Sequence, residues 1–448
     1  MSSKKILMLA YTFPPFYSEG GSIRVVKFLK YLSASGWHPS VITVSDREEL
    51  ATQTRVGSEE LLKDIPPGVK VYRTKRSGEL ALRAVERRRE AMRRRSLSAS
   101  FVSVSTKMRN GLDRRVLVPD PRIRWLPHAL RTAQRVIKRE KPDILFVTCP
   151  PHSAALIGAL LKVITHLPLI VDYRDDWIGT PWFRAKPRAR QLLERGLEKW
   201  VVKKADRIVV VTQWSRRAFL SRYRNEAPDK FVLIPNGCDL EDFRSAPLRP
   251  PTKKAGEFWI VYAGILPPWG SWRRNPVALL RAVSSLRRRS TEMAANLKLV
   301  FTGHLERPYE KMVRELGLQE ACQEVGHLDR IQYINLLRSA DLLLAVNYDD
   351  FSTLIPGKIY EYWAASGAPI ILLGSRGAAS DLIEHFGIGA RVDPYDVKTI
   401  EQVVEEAFKR HRSGNPMRIK PDGIDSYDRK ALTAKLIETI EPLVARVL

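Results

Sequence analysis

The sequence predicts an α/β protein made of two doubly wound halves, each a parallel sheet covered by helices on both faces. Short apolar runs rich in β-branched residues alternate with amphipathic stretches through nearly all of the 448 residues. The runs are continuous rather than alternating, as strands buried on both faces require. The rhythm pauses once, at the polar, proline-bearing stretch 248–257 (LRPPTKKAGE), and then restarts.

The length supports this division, since 448 residues exceed one core and suit two domains of roughly 200 residues each. In the first half the strand candidates are 6–10, 41–44, 69–72, 144–148, 169–172 and 208–212. A helix is expected over 22–35, with Ile23, Val26, Leu29 and Leu32 on one face and Gly36 as its stop. In the second half the strand candidates are 259–263, 297–302, 342–346 and 370–373. The expected domains are 1–247 and 258–426, joined by 248–257. A final helix, 427–448 (Leu432, Leu436, Ile440, Leu443), is expected to return to the first domain. A cleft is expected between the halves, with ligands at the carboxyl ends of the strands. Residues 80–115, with ERRREAMRRRS, break the rhythm and read as a basic insertion.

The N-terminal MSSKKILMLA lacks a small-residue cleavage site and reads as a first strand. The most apolar long stretch, 154–171, carries Lys162 and His166 and is broken by Pro168, so it does not read as a membrane span. The cysteines, Cys149, Cys238 and Cys322, are far apart and lack metal-ligand spacing, which fits buried thiols in a reducing cytoplasm. The net charge of +26 predicts attraction to polyanions.

Three segments could carry chemistry. The loop after the first strand, YTFPPFYSEGGSIR, puts Gly20 and Gly21 at a helix start, where bare backbone amides can approach a phosphate. A plain turn opening a helix is the alternative; Arg24, one turn in, would favour the phosphate site. The fifth strand ends in LIVDYRDDWIG, crowding Asp172, Arg174, Asp175 and Asp176 at its carboxyl end. A salt-bridged cap competes with a functional site there, and Arg174 and Asp175 are expected to face it. In FSTLIPGKIYEYWAASGAPIILLG, Lys358 and Glu361 are three apart near a helix N-terminus. Lysine can neutralise a diphosphate, and a carboxylate can accept both ribose hydroxyls. The bland reading is a surface ion pair between the two.

These pieces, with VVVTQWSRRAF followed by VLIPNGCDLEDF, resemble the retaining GT-B glycosyltransferases of family 4, also called glycosyl transferases group 1. LFVTCPPHSAALIGALL followed by LPLIVDYRDDW is similar to the bacterial branch that builds surface polysaccharides. The resemblance implies two Rossmann-like domains, the first on the acceptor side and the second binding a nucleotide sugar, UDP- or GDP-linked, as co-substrate. It implies that Gly20 and Gly21 contact the donor diphosphate or sugar. Arg174 and Asp175 would lie where sugar and acceptor meet, Lys358 would hold the diphosphate and Glu361 the ribose. Gly264 and Gly303 would let the nucleotide lie close, with Val325 to Leu328, including His327, along the base. Ser352, Thr353, Leu354 and Ile355 would line the donor. Many relatives carry a glutamate at the position of Thr353. Here Ser352 or Thr353 would bond the sugar neutrally, or Asp349 or Asp350 would substitute.

The implied reaction is transfer to an acceptor hydroxyl with retained configuration, the leaving phosphate taking the acceptor proton. The sequence has no Asp-x-Asp pair, so neither metal nor cofactor is expected. Three readings compete for Arg87, Arg88, Arg89, Arg93, Arg94 and Arg95: a solvated face, nucleic acid, or an anionic membrane. No nucleic-acid-binding signature accompanies them. The membrane reading is preferred because it suits a glycan or lipid-linked acceptor at the inner face of the plasma membrane. Lys27, Lys30 and Arg24 could join that surface. Trp125 is either an interfacial anchor or a core residue. The rival functions are a nucleotide-sugar epimerase and a degenerate nucleotide-sugar-binding protein.

Overall fold

The computed structural model describes residues 4–15, 21–45, 58–75, 117–264, 266, 276–347, 352–365 and 367–445. The chain forms two compact units. One comprises Met1–Val211, Arg216–Ile234 and Thr433–Leu448; the other comprises Thr212–Ser215 and Pro235–Leu432.

The division at 234/235 precedes the expected linker at 248–257, because hydrogen bonds tie that whole stretch into the second unit. Cys238 N donates to Tyr427 O at 3.2 Å, Arg429 N donates to Cys238 O at 2.9 Å, and Arg249 N donates to Asn335 Oδ1 at 2.9 Å. A polar, proline-bearing composition marks an irregular segment here, not a free one.

The first unit holds β1 (Lys4–Leu9), β2 (Trp37–Val44), β3 (Lys70–Thr74), β4 (Ile144–Cys149), β5 (Leu169–Tyr173), β6 (Arg207–Val210) and β7 (Phe231–Leu233) in the order β3-β2-β1-β4-β5-β6-β7. The second holds β8 (Phe258–Tyr262), β9 (Leu297–Phe301), β10 (Cys322–Glu324), β11 (Leu342–Val346), β12 (Ile370–Leu373) and β13 (Gly389–Val392) in the order β10-β9-β8-β11-β12-β13. Every pairing is parallel. Parallel order needs helical crossovers, which cover both faces. Every residue of β4 and β11 is accordingly buried. In each sheet the strand order reverses beside the first strand, between β1 and β4 and between β8 and β11. Ligands of doubly wound sheets bind at such switch points, outside the carboxyl ends.

The Gly21–Ala34 helix buries far more than one apolar stripe. Arg24, Val25, Val26, Lys27, Phe28 and Leu29 are all inside, and Gly36 at φ +80° ends the turn that follows. Trp125 is fully buried and its indole donates to Thr74 Oγ1 at 2.6 Å, so it is a core residue and not a surface anchor. In the final helix, Arg429–Val444, Leu432, Leu436, Ile440 and Leu443 are buried. From Thr433 on it belongs to the first unit, where Lys4 pairs with Glu441 at 2.6 Å. No helix among the described residues is long and apolar enough to cross a membrane. The arginine run at 87–95 lies outside the described residues.

Candidate functional site

In the first unit the candidate groups gather at the carboxyl edge around β1, β4 and β5. Arg174 follows β5, and its backbone N donates to Cys149 O at 2.9 Å, continuing the sheet by one residue. Its side chain donates from Nε to Thr148 Oγ1 at 3.0 Å and from Nη2 to Pro150 O at 2.5 Å. The guanidinium is thus held by neutral oxygens, and no carboxylate pairs with it among the described residues. It lies over Gly21, the first residue of its helix: a Cβ there would stand 1.9 Å from Arg174 Nη1. Asp175 is half-buried beside it. Gly20 lies outside the described residues.

Asp172 has a different fate. It is fully buried and takes both nitrogens of Arg24, Nε to Oδ2 at 3.1 Å and Nη2 to Oδ1 at 2.9 Å, with the Thr148 hydroxyl donating to Oδ2 at 2.8 Å. Arg24 Nη2 also donates to Ile234 O at 2.9 Å. The expectation that Arg24 reaches a phosphate or a membrane is therefore corrected. On a helix buried nearly all round, its guanidinium is an internal strut. Lys27 is corrected likewise, being 3% exposed and 2.7 Å from Asp64. Lys30 stands 3.6 Å from the same carboxylate.

Behind Arg174 lies a buried polar layer. His152 stacks on Trp177, with centroids 5.0 Å apart and planes at 2°, and its Nδ1 has no partner. Burial, then the Lys186 and Arg174 charges, lower its pKa to about 3, so it is neutral. Asp176 pairs with Arg222 at 2.8 Å, and Tyr223 donates to Glu198. Burial pushes Glu198 up to about 7 against the opposing pull of Arg222.

In the second unit the candidates follow the carboxyl ends of four adjacent strands. Gly264 follows β8, Gly303 follows β9, Val325 and His327 follow β10, and 352–355 follows β11. Gly264 has φ +147°, in the region that favours glycine, and its N donates to Thr302 Oγ1 at 2.7 Å. A Cβ there would stand 2.6 Å from Lys358 Nζ. Lys358 is in the first turn of the Gly357–Ala364 helix, and its ammonium also lies 3.9 Å from the Tyr262 ring centroid. No carboxylate pairs with Lys358 among the described residues. A half-buried cation therefore rests against bare backbone at a strand end and a helix N-terminus, where an anion gains from all three.

Glu361 is not the partner of Lys358. Its Oε1 accepts from Arg330 Nη1 at 2.7 Å and its Oε2 from the Tyr333 hydroxyl at 2.8 Å. Arg330 also reaches Asp242 at 3.2 Å. Burial works against the Arg330 charge, but Glu361 and Asp242 outweigh it and raise its pKa. Each Glu361 oxygen keeps a second acceptor position. Ser352 O accepts from Ala378 N at 2.7 Å, Thr353 O from the Thr212 hydroxyl at 2.7 Å and Leu354 O from Asn347 Nδ2 at 3.3 Å. These bonds fix the main chain of that segment; Thr353 is half-buried and Ile355 buried. Val325 and His327 are exposed on the β10 loop. Asp349 and Asp350 lie outside the described residues. Among the described residues no His, Cys, Asp and Glu cluster could hold a metal ion.

Sequence reasoning missed Tyr262, Thr302, Arg330, Tyr333 and Thr148, the groups that hold the candidates in place. None has a spacing signal, because each acts on a residue from another element.

The model of Glycosyltransferase Family 4 matches residues 102–242, and that of Glycosyl transferases group 1 matches 251–420. No curated protein sequence matches the chain. Among solved structures it is similar to a sucrose-phosphate synthase from Thermosynechococcus elongatus, with 16% identity and TM-score 0.67, covering 99% of this chain and 100% of that one. It is similar to a glycosyltransferase involved in lipopolysaccharide biosynthesis, with 14% identity, TM-score 0.60 and 97% and 99% covered. It is also similar to a UDP-N-acetylglucosamine 2-epimerase, with 12% identity, TM-score 0.56 and 98% and 96% covered.

Proposed function

Because this chain belongs to the GT-B glycosyltransferases, with a family 4 domain in its first half and a group 1 domain in its second, we propose that it moves a sugar from a nucleoside-diphosphate sugar to an acceptor hydroxyl with retention of configuration. The acceptor is a glycan or a lipid-linked glycan at an anionic membrane surface, in the synthesis of a surface polysaccharide. The observation that carries the reading is the Lys358 ammonium against Gly264, with no carboxylate to neutralise it among the described residues. It supports a diphosphate there, with Glu361 accepting the ribose hydroxyls through its remaining lone pairs.

During transfer the bond from the anomeric carbon to the diphosphate oxygen breaks, and a bond to the acceptor oxygen forms on the same face. The acceptor proton goes to the departing phosphate oxygen. Lys358 and the Gly357–Ala364 helix N-terminus oppose the charge that develops on the diphosphate, a task suited to fixed dipoles and cations. Arg174 and Asp175 position the acceptor side. The high net positive charge, +26, supports the membrane location.

The test is thermal denaturation against UDP-, GDP-, ADP- and dTDP-sugars, followed by product analysis with the stabilising donor. A ligand bound only by the native state raises the melting temperature. The expected result is one stabilising sugar nucleotide and acceptor-dependent release of its nucleoside diphosphate. Conversion of the donor sugar without any acceptor would establish an epimerase instead. Stabilisation without turnover would establish a binding protein.

A further inference from the structure

The Arg188–Lys204 helix of the first unit buries Val201 and Val202, with Leu197 and Trp200 packed on the core, but its remaining polarity is unusual. Its carboxylates, Glu194 and Glu198, are fully buried, while Leu192 and Leu193 are 71% and 52% exposed. The inward acids have internal partners. Glu194 takes the Trp177 indole at 2.9 Å, Lys186 at 2.7 Å and Arg190 at 2.8 Å. Glu198 takes the Tyr223 hydroxyl and lies 4.0 Å from Arg222.

Turning both acids inward leaves only cations among the exposed charges of the helix. Arg188, Arg195, Lys199, Lys203 and Lys204 are exposed, and Arg188, Leu192, Arg195, Lys199 and Lys203 recur at helical spacing along one stripe. An ordinary surface helix would mix signs outside and turn its leucines in. Here two leucines stand proud in a wholly basic field. The helix belongs to the crossover from β5 to β6, which begins with Arg174 and Asp175 and passes first through the short Pro181–Arg184 helix.

We propose that this face docks on an anionic lipid surface, with Leu192 and Leu193 entering the headgroup boundary and the arginine and lysine stripe meeting lipid phosphates. Leucines supply apolar area and the cations supply attraction to anionic headgroups, the pairing that interfacial helices use. The inference deepens the membrane location proposed above and rests on it only for the identity of the partner.

Flotation of the full chain with phosphatidylcholine vesicles, with and without phosphatidylglycerol, tests it. Binding is expected only to the anionic vesicles and is expected to weaken with salt. The Leu192→Ser/Leu193→Ser variant and the Arg188→Glu/Lys199→Glu variant should each bind at least about tenfold less. Their melting temperatures and their stabilisation by a sugar nucleotide should be unchanged, so a failed docking idea and a failed donor reading give different results. Full vesicle binding by both variants overturns the proposal. So does a large fall in the melting temperature of the leucine variant, which would mean that the leucines are covered by protein. Loss of a concentration-dependent dimer in that variant, with vesicle binding intact, would assign the face to a second copy and overturn it too.

Discussion

The Arg174 guanidinium fills the space that a side chain at Gly21 would need. The virtual Cβ of Gly21 stands 1.9 Å from Nη1 and 2.7 Å from Cζ. Glycine at the helix start thus leaves the room in which the guanidinium sits, and a side chain there would push it aside. Gly21→Ala should displace the guanidinium from Thr148 Oγ1 and Pro150 O. Sugar transfer should fall on the order of a hundredfold, the scale of losing one fixed donor from an active site. Arg174→Ala should cost as much, and the double variant no more, because both remove one unit. Stabilisation by the sugar nucleotide should persist in all three. Additive losses in transfer rate would show that Gly21 acts independently of Arg174.

Gly264 and Lys358 repeat the arrangement in the second unit. Lys358→Met removes a half-buried cation and should weaken a nucleoside diphosphate about tenfold, the value of a charge-assisted contact. Binding of the nucleoside monophosphate should change much less, so calorimetry should show the preference for diphosphate shrinking. Gly264→Ala combines a strained φ of +147° with a Cβ 2.6 Å from Nζ, and should shrink the same preference without removing the charge. Equal losses for mono- and diphosphate would place the ammonium elsewhere on the donor.

The interior strands were legible because β1, β4, β5, β8, β11 and β12 are continuous apolar runs buried on both faces. The strands that escaped sequence reading, β7, β10 and β13, are all edge strands. Cys322–Glu324 is half-exposed and polar, and Gly389 opens β13, so neither carries a buried-strand pattern. The site divides in the same way. Lys358, Gly264, Gly21 and Arg174 could be singled out because glycines and charges at strand ends and helix starts are local signals. That Arg24 binds Asp172, and Arg330 binds Glu361, could not be read, because these partners are 148 and 31 residues apart. Arg24 looked like a phosphate ligand by its place one turn into a helix. The burial of that helix on its polar side also, which no periodicity reveals, reassigns it.

The Arg24–Asp172 pair, 0% exposed on both sides, should behave as a buried ion pair. Removing one partner leaves the other charge uncompensated. Arg24→Met or Asp172→Leu should each lower unfolding free energy by about 3–5 kcal/mol. The double Arg24→Met/Asp172→Leu variant should recover much of that loss, since apolar replacements of a whole pair are often tolerated. Urea denaturation of the four proteins closes the cycle. A double variant as unstable as the sum of the singles would deny the coupling. A stable Arg24→Met variant that has lost sugar-nucleotide binding would restore the residue to the donor site.

His152 and Glu198 should give the first unit opposite pH responses. His152 stays neutral down to about 3 when folded but takes a proton near 6.5 when unfolded. Between those values the unfolded chain holds more protons, so this group's contribution is complete above pH 6.5 and is lost as pH falls toward 3. Glu198 runs the other way. Its folded carboxyl titrates at about 7 against an ordinary 4.5, so the cost of its burial is absent below pH 4.5 and complete above 7. His152→Phe, which keeps a ring against Trp177, should therefore gain stability relative to the parent as pH drops from 7 to 4. Glu198→Gln should gain relative to the parent as pH rises from 4.5 to 7. Urea midpoints at pH 4.5, 6 and 7.5 would separate the two, because the differences move in opposite directions along the same axis. A His152→Phe midpoint that tracks the parent at every pH would mean that the imidazole gains a proton in the folded state as readily as in the unfolded one.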